Sequence, residues 1–239
     1  SLYIKSTNFN QPLDHLPEKL TNLYLNYCFQ FNQSLDHLPQ NLQKIQIIEC
    51  KQFNNPINHL PPNLILLNIT GSCNFDQPVD NLPPHLNSLT INIYNYPIKA
   101  DFNQPLDNLP KNLHKLDISS NSFNYPLNHL PESLSFLRIC GNKFTCPMDN
   151  LPKNLKKLLI FSAKFNQPLD NLPKSLLSLE LRYCNAFNQS LNKLPNTLNN
   201  LQLAYCNSFN QSLDALPNKL KELDVYYCES FNQRLDFLP

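Results

Sequence analysis

CNSFNQSLDALPNKL, residues 206–220, decides the fold because the same phrase recurs along the chain. It returns as CNAFNQSLNKLPNTL at 184–198 and in part as FNQSLDHLPQNL at 31–42. The phenylalanine that anchors each copy recurs at intervals of 22, 22, 22, 27, 21, 21, 21, 22, 22 and 22 residues. The anchors are Phe9, Phe31, Phe53, Phe75, Phe102, Phe123, Phe144, Phe165, Phe187, Phe209 and Phe231. They bound ten complete units, so the chain is a repeat protein.

Each unit carries the same apolar pattern. With the anchor Phe as position 0, apolar residues lie at +4, +7, +11, +14 and +16, and Pro lies at +8. The end of the pattern alternates with period two, as a β-strand does. We therefore expect Leu201 and Leu203 to face a core, and Asn200, Gln202 and Ala204 to face outward. So short a strand buries its apolar face only against the strands of neighbouring units, which predicts a parallel ladder.

The rest of each unit returns the chain along an outer arc. Two Leu three residues apart before a Pro favour a 3₁₀ or irregular turn over a helix. Asp or Asn at +5 is expected to cap free backbone N–H groups of this arc. Examples of this position are Asp36, Asp107 and Asp214.

The period and the strand motif fit the leucine-rich-repeat range of about 20 to 29 residues. Two of the 21-residue units place Asn at +19, as in LHKLDISSNSF (113–123), whereas most 22-residue units place Cys there, as in LNNLQLAYCNSF (198–209). The sequence thus predicts a β-rich, leucine-rich-repeat-like solenoid with one short parallel strand per unit of 21–22 residues. A single solenoid is expected over residues 1–239, with partial units at both ends.

The full phrase, F-N-Q-P/S-L-D-x-L-P-x-x-L-x-x-L, resembles the FNIP repeat family, an Asn-rich relative of leucine-rich repeats. The family occurs in social amoebae and in giant viruses that infect amoebae. The resemblance covers essentially the whole chain, with local departures at 75–80, 144–149 and 231–236. Family members often carry an N-terminal F-box that docks onto ubiquitin-ligase components. The resemblance implies such a link through a region outside these residues, which contain no F-box.

The composition argues against several function classes. The chain has 21 Pro and 2 Gly, and its 19 basic and 18 acidic residues give a net charge of +1. Neither a Gly-rich phosphate loop nor a broken repeat with nucleophile and base is present, so we expect no enzyme and no cofactor. The balanced charge predicts no nucleic-acid partner. No apolar run reaches the roughly 20 residues of a membrane span, so no membrane partner is expected.

Cysteine and histidine recur in register. Five cysteines share position +19, namely Cys28, Cys50, Cys184, Cys206 and Cys228. Metal binding or disulfides are possible uses, but C-x-x-C is absent and free Cys is commonly buried, so we expect buried thiols in the bend after the strand. Cys73, Cys140 and Cys146 are the expected exposed thiols. Four histidines share +6, where Asn often stands instead, and we expect a solvated row there rather than a metal site. They are His15, His37, His59 and His129.

Candidate binding residues are those where the outward strand positions depart from Asn, Ser, Lys and Gln. Large apolar side chains beside Arg on an exposed face are typical of protein-binding hot spots. The first zone comprises Phe136, Arg138, Leu159, Phe161, Glu180, Arg182 and Tyr183. The second is a tyrosine ladder at +18 with one neighbour, beside the acidic Glu222 and Asp224, and comprises Tyr183, Tyr205, Tyr226 and Tyr227. Tyr at these positions serves either an interface or the covering of a strand edge, and the sequence leaves both open.

One unit is longer than the others, with five extra residues within 92–101. This insertion is expected to bulge from the strand-end rim, either to bind a partner or as a tolerated insertion.

The leading functional hypothesis is a protein–protein interaction scaffold. The family resemblance implies the target-recognition region of an F-box-type ubiquitin-ligase adaptor in the cytoplasm, or in the host cytoplasm if the protein is viral. A structural protein is the alternative, because Leu2, Ile4, Phe237 and Leu238 would be exposed at open solenoid ends and could stack into assemblies. A third hypothesis is an extracellular receptor, which requires oxidised cysteines.

Overall fold

The computed structural model describes residues 1–72, 74–93, 102–236 and 238. These residues form eleven short β-strands joined by turns, with no helix among them. They divide into two compact units, Ser1–Phe123 and Asn124–Pro239, each of which contains several of the 21–22-residue repeats.

The first unit contains six parallel strands in chain order. Its register joins equivalent repeat positions, so that Leu23 pairs with Ile45 and Ile45 with Leu67. The strands are β1 (Leu2–Lys5), β2 (Asn22–Asn26), β3 (Lys44–Ile48), β4 (Leu66–Thr70), β5 (Ser88–Asn92) and β6 (Lys115–Ser119).

The second unit contains five parallel strands, again in chain order. Leu201 pairs with Leu179 on one side and with Leu223 on the other. The strands are β7 (Phe136–Cys140), β8 (Lys157–Phe161), β9 (Ser178–Arg182), β10 (Asn200–Ala204) and β11 (Glu222–Tyr226). The predicted parallel, leucine-rich-repeat-like solenoid is confirmed.

On β10 the period-two pattern places the core as expected, with one exception. Leu201 and Leu203 are fully buried, whereas Gln202 between them is partly exposed. Ala204 also occupies an outward position, yet it is fully buried. Its in-register neighbours are Arg182 and Tyr226, whose longer side chains shield its methyl group.

A column of stacked phenylalanine rings forms the second half of the core. Consecutive anchors from Phe9 to Phe123 in the first unit have ring centroids 5.8–6.3 Å apart and interplanar angles of at most 16°. The anchors from Phe144 to Phe231 in the second unit lie 5.8–6.2 Å apart. Offset stacking of this kind adds about 0.5–1.5 kcal/mol per pair beyond the burial of area.

The outer arc is a series of tight turns. In each repeat the N–H at +11 donates to the carbonyl of the Pro at +8. Leu42 donates to Pro39 at 3.1 Å, and Leu198 donates to Pro195 at 2.9 Å. Because Pro has no N–H to satisfy, only its carbonyl needs a partner at this point of the arc, and the turn supplies that partner. The predicted irregular arc is confirmed as part of this fold.

Asparagine at +1 links neighbouring repeats within a compact unit through its side-chain oxygen. Asn188 Oδ1 accepts from the N–H of Asn210 at 2.9 Å and from Gln211 Nε2 at 3.1 Å. Asp76 serves the same purpose for Asn103 and Gln104, at 2.9 and 3.0 Å. The Asn-Gln pair of the repeat is therefore a polar ladder that satisfies backbone donors where no strand ladder reaches.

The prediction that the side chain at +5 caps backbone N–H groups is wrong for Asp36 and Asp214. The N–H groups of Asp36 and Asp214 donate to the hydroxyls of Ser34 and Ser212, at 3.0 and 3.1 Å. The Asp214 carboxylate accepts from the Ser212 hydroxyl at 2.8 Å, whereas several other +5 side chains accept from the +6 side chain of the next repeat. Such pairs are Asp36–His59, Asp80–Asn108, Asn128–Asn150, Asp149–Asn171 and Asp170–Lys193.

Truncation of one ring should test the phenylalanine column. Phe187 is fully buried and stacks on rings at 6.1 and 5.9 Å. Phe187→Ala should lower the free energy of unfolding by about 3–5 kcal/mol because it leaves a cavity between two rings. Urea denaturation followed by circular dichroism measures this loss, with the exposed Tyr183→Ala as control. A loss below about 1 kcal/mol would show that neighbouring rings collapse to fill the space.

Substitution at +1 should separate oxygen chemistry from side-chain size. Asn188→Leu should cost about 0.5–1.5 kcal/mol because the Asn210 N–H loses its acceptor. Asn188→Asp keeps that acceptor, as Asp76 does in its own unit, and should cost less. Equal losses for the two variants in the same denaturation experiment would contradict the role assigned to the oxygen.

Candidate partner-binding face

The outward face of β7, β8 and β9 gathers the first set of predicted residues within one unit. Register pairs Arg138 with Leu159 and Leu159 with Glu180, and it pairs Phe161 with Arg182. Phe136 lies at the start of β7 and pairs with Lys157. The periodicity thus brings together side chains that lie more than 20 residues apart in sequence. We call this surface, Phe136 to Arg182 on β7–β9, the aromatic–basic face.

Phe161 lies between two guanidinium groups at the centre of this face. The guanidinium carbons of Arg138 and Arg182 are each 5.8 Å from its ring centroid. At such distances a cation is attracted to the ring by about 0.5–1 kcal/mol at a partly exposed site. The ring and both arginines are half-buried.

Glu180 is the buried anion of the aromatic–basic face. Its side chain is only 10% exposed, and its carboxylate contacts Lys157 Nζ at 2.7 Å and Arg182 Nη2 at 3.0 Å. A buried carboxylate needs such partners because desolvation of an unpaired charge costs several kcal/mol. The repeat pattern predicts an exposed Glu180, which is wrong, and the predicted binding residues do not include Lys157. The outward position +13 on β8 is the signal that would have found Lys157.

Leu159 requires a correction as well. It occupies the predicted outward position, but only 8% of its surface is exposed. Arg138 and Glu180 flank it in register, and their longer side chains cover it. Leu159 therefore supports the aromatic–basic face from beneath and offers little contact area of its own.

The tyrosine ladder forms a second exposed surface, along the rim where β9–β11 end. Tyr183 and Tyr205 stack with centroids 4.6 Å apart, and Tyr205 and Tyr227 stack at 4.7 Å. Tyr226 contacts the edges of two of these rings. Tyr183 and Tyr227 expose 53% and 67% of their surface. Burial and the neighbouring phenols raise the pKa of Tyr205.

The ladder is fixed by an unusual backbone conformation. Tyr183, Tyr205 and Tyr227 at +18 adopt φ angles of 53–55°, in the left-handed region. At the same repeat position, Tyr27, Glu49 and Gly71 adopt φ angles of 55–67°. This region is uncommon for residues other than Gly. It turns the chain sharply after the strand and directs the following residue inward. The stacked rings therefore accompany a strained bend, a feature that the sequence pattern did not reveal.

Acidic groups lie next to the tyrosine ladder on β11. Asn200 donates to the carboxylate of Glu222, and Gln202 Nε2 donates to Asp224 Oδ2 at 3.0 Å. The outward face of this unit is therefore basic on β7–β9, neutral on β10 and acidic on β11.

The cysteines at +19 are structural. Cys28, Cys50, Cys184 and Cys206 are fully buried free thiols, and Cys228 is half-buried. Each thiol lies within hydrogen-bonding distance of two carbonyl oxygens, one at the end of its own strand and one in the preceding unit. For Cys184 these are Arg182 O and Ile160 O, both at 3.5 Å. The expectation of buried thiols that satisfy the bend agrees with these contacts.

The remaining cysteine and histidine candidates are scattered where the structure describes them. Cys140 and Cys146, expected to be exposed, are half-buried, and Cys73 lies outside the described residues. His59 contacts Asp36 at 3.3 Å with three quarters of its side chain exposed, as expected of a solvated row. Among the described residues, no three His, Cys, Asp or Glu side chains group closely enough to hold a metal ion.

Three further expectations concern the insertion, the membrane and the ends. The proposed bulge at 92–101 falls almost wholly on residues 94–101, outside those described. In the part of the chain that is described, no helix is long and apolar enough to cross a bilayer. Leu2 and Ile4, expected to be exposed, are half-buried, whereas Leu238 is 39% exposed and Phe237 lies outside the described residues.

Comparison with known proteins supports the resemblance drawn from the sequence. Residues 146–184, which carry most of the aromatic–basic face, match the FNIP repeat family. The crystal structure of CroV588, described as a novel circular leucine-rich-repeat protein, is similar with a TM-score of 0.64 and 31% sequence identity. The match covers 89% of this chain and 35% of that one, so the chain spans about a third of the length of CroV588. No curated protein matches the chain significantly.

The thiol row predicts a dependence of stability on alkaline pH. Burial is the largest cause that raises the pKa of the Cys50 thiol from 9.0 to about 12. The folded state therefore holds this proton more tightly than the unfolded state. Its stabilising contribution is complete below pH 9 and is lost as the pH rises towards 12, with a slope of at most about 1.4 kcal/mol per pH unit for one proton.

Urea denaturation between pH 8 and 11 checks this dependence. Tyr and Lys also titrate in this range, so Cys50→Ala provides the reference that lacks the thiol. The free energy of unfolding should fall more steeply with pH for the unmodified chain than for this variant. Identical slopes would contradict the assignment.

Proposed function

We propose that this chain is a protein-interaction scaffold and that the aromatic–basic face, extended by the tyrosine ladder, is its binding surface. Repeat solenoids of this kind are typical protein-interaction scaffolds. The observation that carries the proposal is the half-exposed Phe161 ring between Arg138 and Arg182. The fold needs nothing large at the outward position of Phe161 and Arg182, since Ala204 occupies the equivalent site on β10.

The chemistry of the face supports a protein partner. Arg and Tyr are enriched among the residues that dominate binding energy, and they act best when packed in a rigid surface. The interlocked contacts of Phe161, Arg182 and Glu180 provide such preorganisation, which lowers the entropic cost of binding. The tyrosines add area at small conformational cost, because each has only two side-chain torsions.

The finer assignment rests on the FNIP resemblance. Members of that family are often linked to an F-box, so we propose that the partner is a target protein presented to ubiquitin-ligase components in the cytoplasm of an amoeba or of a virus-infected amoeba. In this arrangement a region outside these residues contacts the ligase, and the aromatic–basic face selects the target. We propose no catalytic role and no cofactor.

A triple substitution tests the binding face. The chain and its Phe136→Ala, Phe161→Ala, Arg182→Ala variant are each immobilised, and proteins captured from amoebal lysate are identified by mass spectrometry. A matched control carries Lys153→Ala, Asn171→Ala and Lys174→Ala on the outer arc of the same unit. We expect one or more partners to be retained by the chain and the control, and reduced at least tenfold on the variant.

Two outcomes would contradict the proposal. Equal capture by all three proteins, each shown to be folded by circular dichroism, would exclude the aromatic–basic face as the binding site. Capture of nothing beyond further copies of the chain would favour the structural, self-assembling alternative instead.

A further inference from the structure

We infer that the aromatic–basic face recognises a short acidic segment of a partner protein, an assignment that rests on the proposed function. The segment is expected to carry carboxylate side chains interspersed with apolar ones. This expectation rests on charge complementarity between the segment and the aromatic–basic face.

The charge of the face is positive by simple count. Among the outward positions of β7–β9 there are three cations and one anion, a surplus of 3 − 1 = 2 positive charges. The cations are Arg138, Lys157 and Arg182, and the anion is Glu180. Since the whole chain carries a net charge of only +1, this surplus is a local feature.

The cations of the face are more exposed than its anion. The Glu180 side chain is 10% exposed, whereas those of Lys157 and Arg182 are 42% and 36% exposed. The anion is therefore sealed beneath the cations that neutralise it, and a partner meets mainly ammonium and guanidinium groups. An ammonium and a guanidinium group each have more than one N–H donor, so Lys157 and Arg182 can bond to a partner's carboxylate oxygens as well as to Glu180.

The dimensions and surroundings favour a short segment over a polyanion. Strands β7 to β9 span about 10 Å, which is the length of about three extended residues. Beyond neutral β10, Glu222 and Asp224 on β11 repel further negative charge. A nucleic acid, with a charge every few ångströms over a long distance, would meet this acidic region. Phe136 and Phe161, both half-buried, offer apolar contact between the charges.

The test uses defined peptides. A fluorescein-labelled dodecapeptide with a central Glu-Leu-Glu-Phe-Glu between Gly-Ser flanks is titrated with the full chain, and binding is followed by anisotropy at about 50 and 150 mM salt. A second peptide replaces each Glu with Lys. The acidic peptide should bind at least tenfold more tightly than the basic one, and its affinity should fall as salt increases.

Three single variants are expected to change the affinity for the acidic peptide in different ways. Lys157→Gln should weaken binding of the acidic peptide about threefold to tenfold. Lys153→Gln, the same charge change on the outer arc of the unit, should leave the affinity unchanged. Glu180→Gln removes the one anion and should tighten binding at least threefold, a gain that damage to the fold would not produce.

Several results would overturn the inference. These are equal binding of the acidic and basic peptides, no binding of the acidic peptide, or weaker binding after Glu180→Gln with the fold intact. A third peptide carries phosphoserine at the central Glu; if it binds more than tenfold tighter than the acidic peptide, a phosphorylated segment is the occupant and the inference fails. If lysate partners depend on Phe161 but not on Lys157, the proposed function stands and only the acidic assignment is lost.

Discussion

Each repeat can bury its apolar side chains only against the neighbouring repeats, and the rest of the structure depends on this constraint. A five-residue strand such as β10 has only Leu201 and Leu203 to place in a core, and one unit alone cannot enclose them. Pairing with Leu179 and Leu223 in the adjacent strands completes the enclosure, and the Phe187 column does the same on the opposite side. Stability is then approximately a sum of nearest-neighbour interfaces, which explains why the core positions repeat so strictly.

Close stacking leaves backbone donors that must be satisfied without a helix. The chain solves this with side chains that repeat at fixed offsets: Asn188 at +1, Ser212 at +3 and Cys184 at +19 each bond to backbone groups. These polar residues are therefore as much part of the fold as the leucines. The outward strand positions have no such duty, and they are where Phe161 and Arg182 can be introduced without loss of the solenoid.

Most of the fold follows from the sequence because its cause is local and periodic. The alternation around Leu201 and the turn at Pro195 are set by residues a few positions apart, and each is repeated ten times. The details of the face depend on side-chain length in adjacent units, which the pattern of one unit does not encode. Leu159 and Ala204 are buried because of Arg138, Glu180, Arg182 and Tyr226 on neighbouring strands. The left-handed φ of Tyr205 is not marked by its residue type, since Tyr is not typical of that region.

The asparagine ladder runs in one direction along the chain, and it joins repeats of different length in the same way. The oxygen of Asn124 serves Thr145 across a 21-residue unit, and that of Asn166 serves Asn188 across a 22-residue unit, both at 2.9 Å. Donor and acceptor offsets are thus the same at a junction of either length. A gene for such a protein can gain, lose or exchange whole units by recombination without creating an incompatible joint. New combinations of outward residues can arise by this shuffling while the scaffold beneath them stays unchanged.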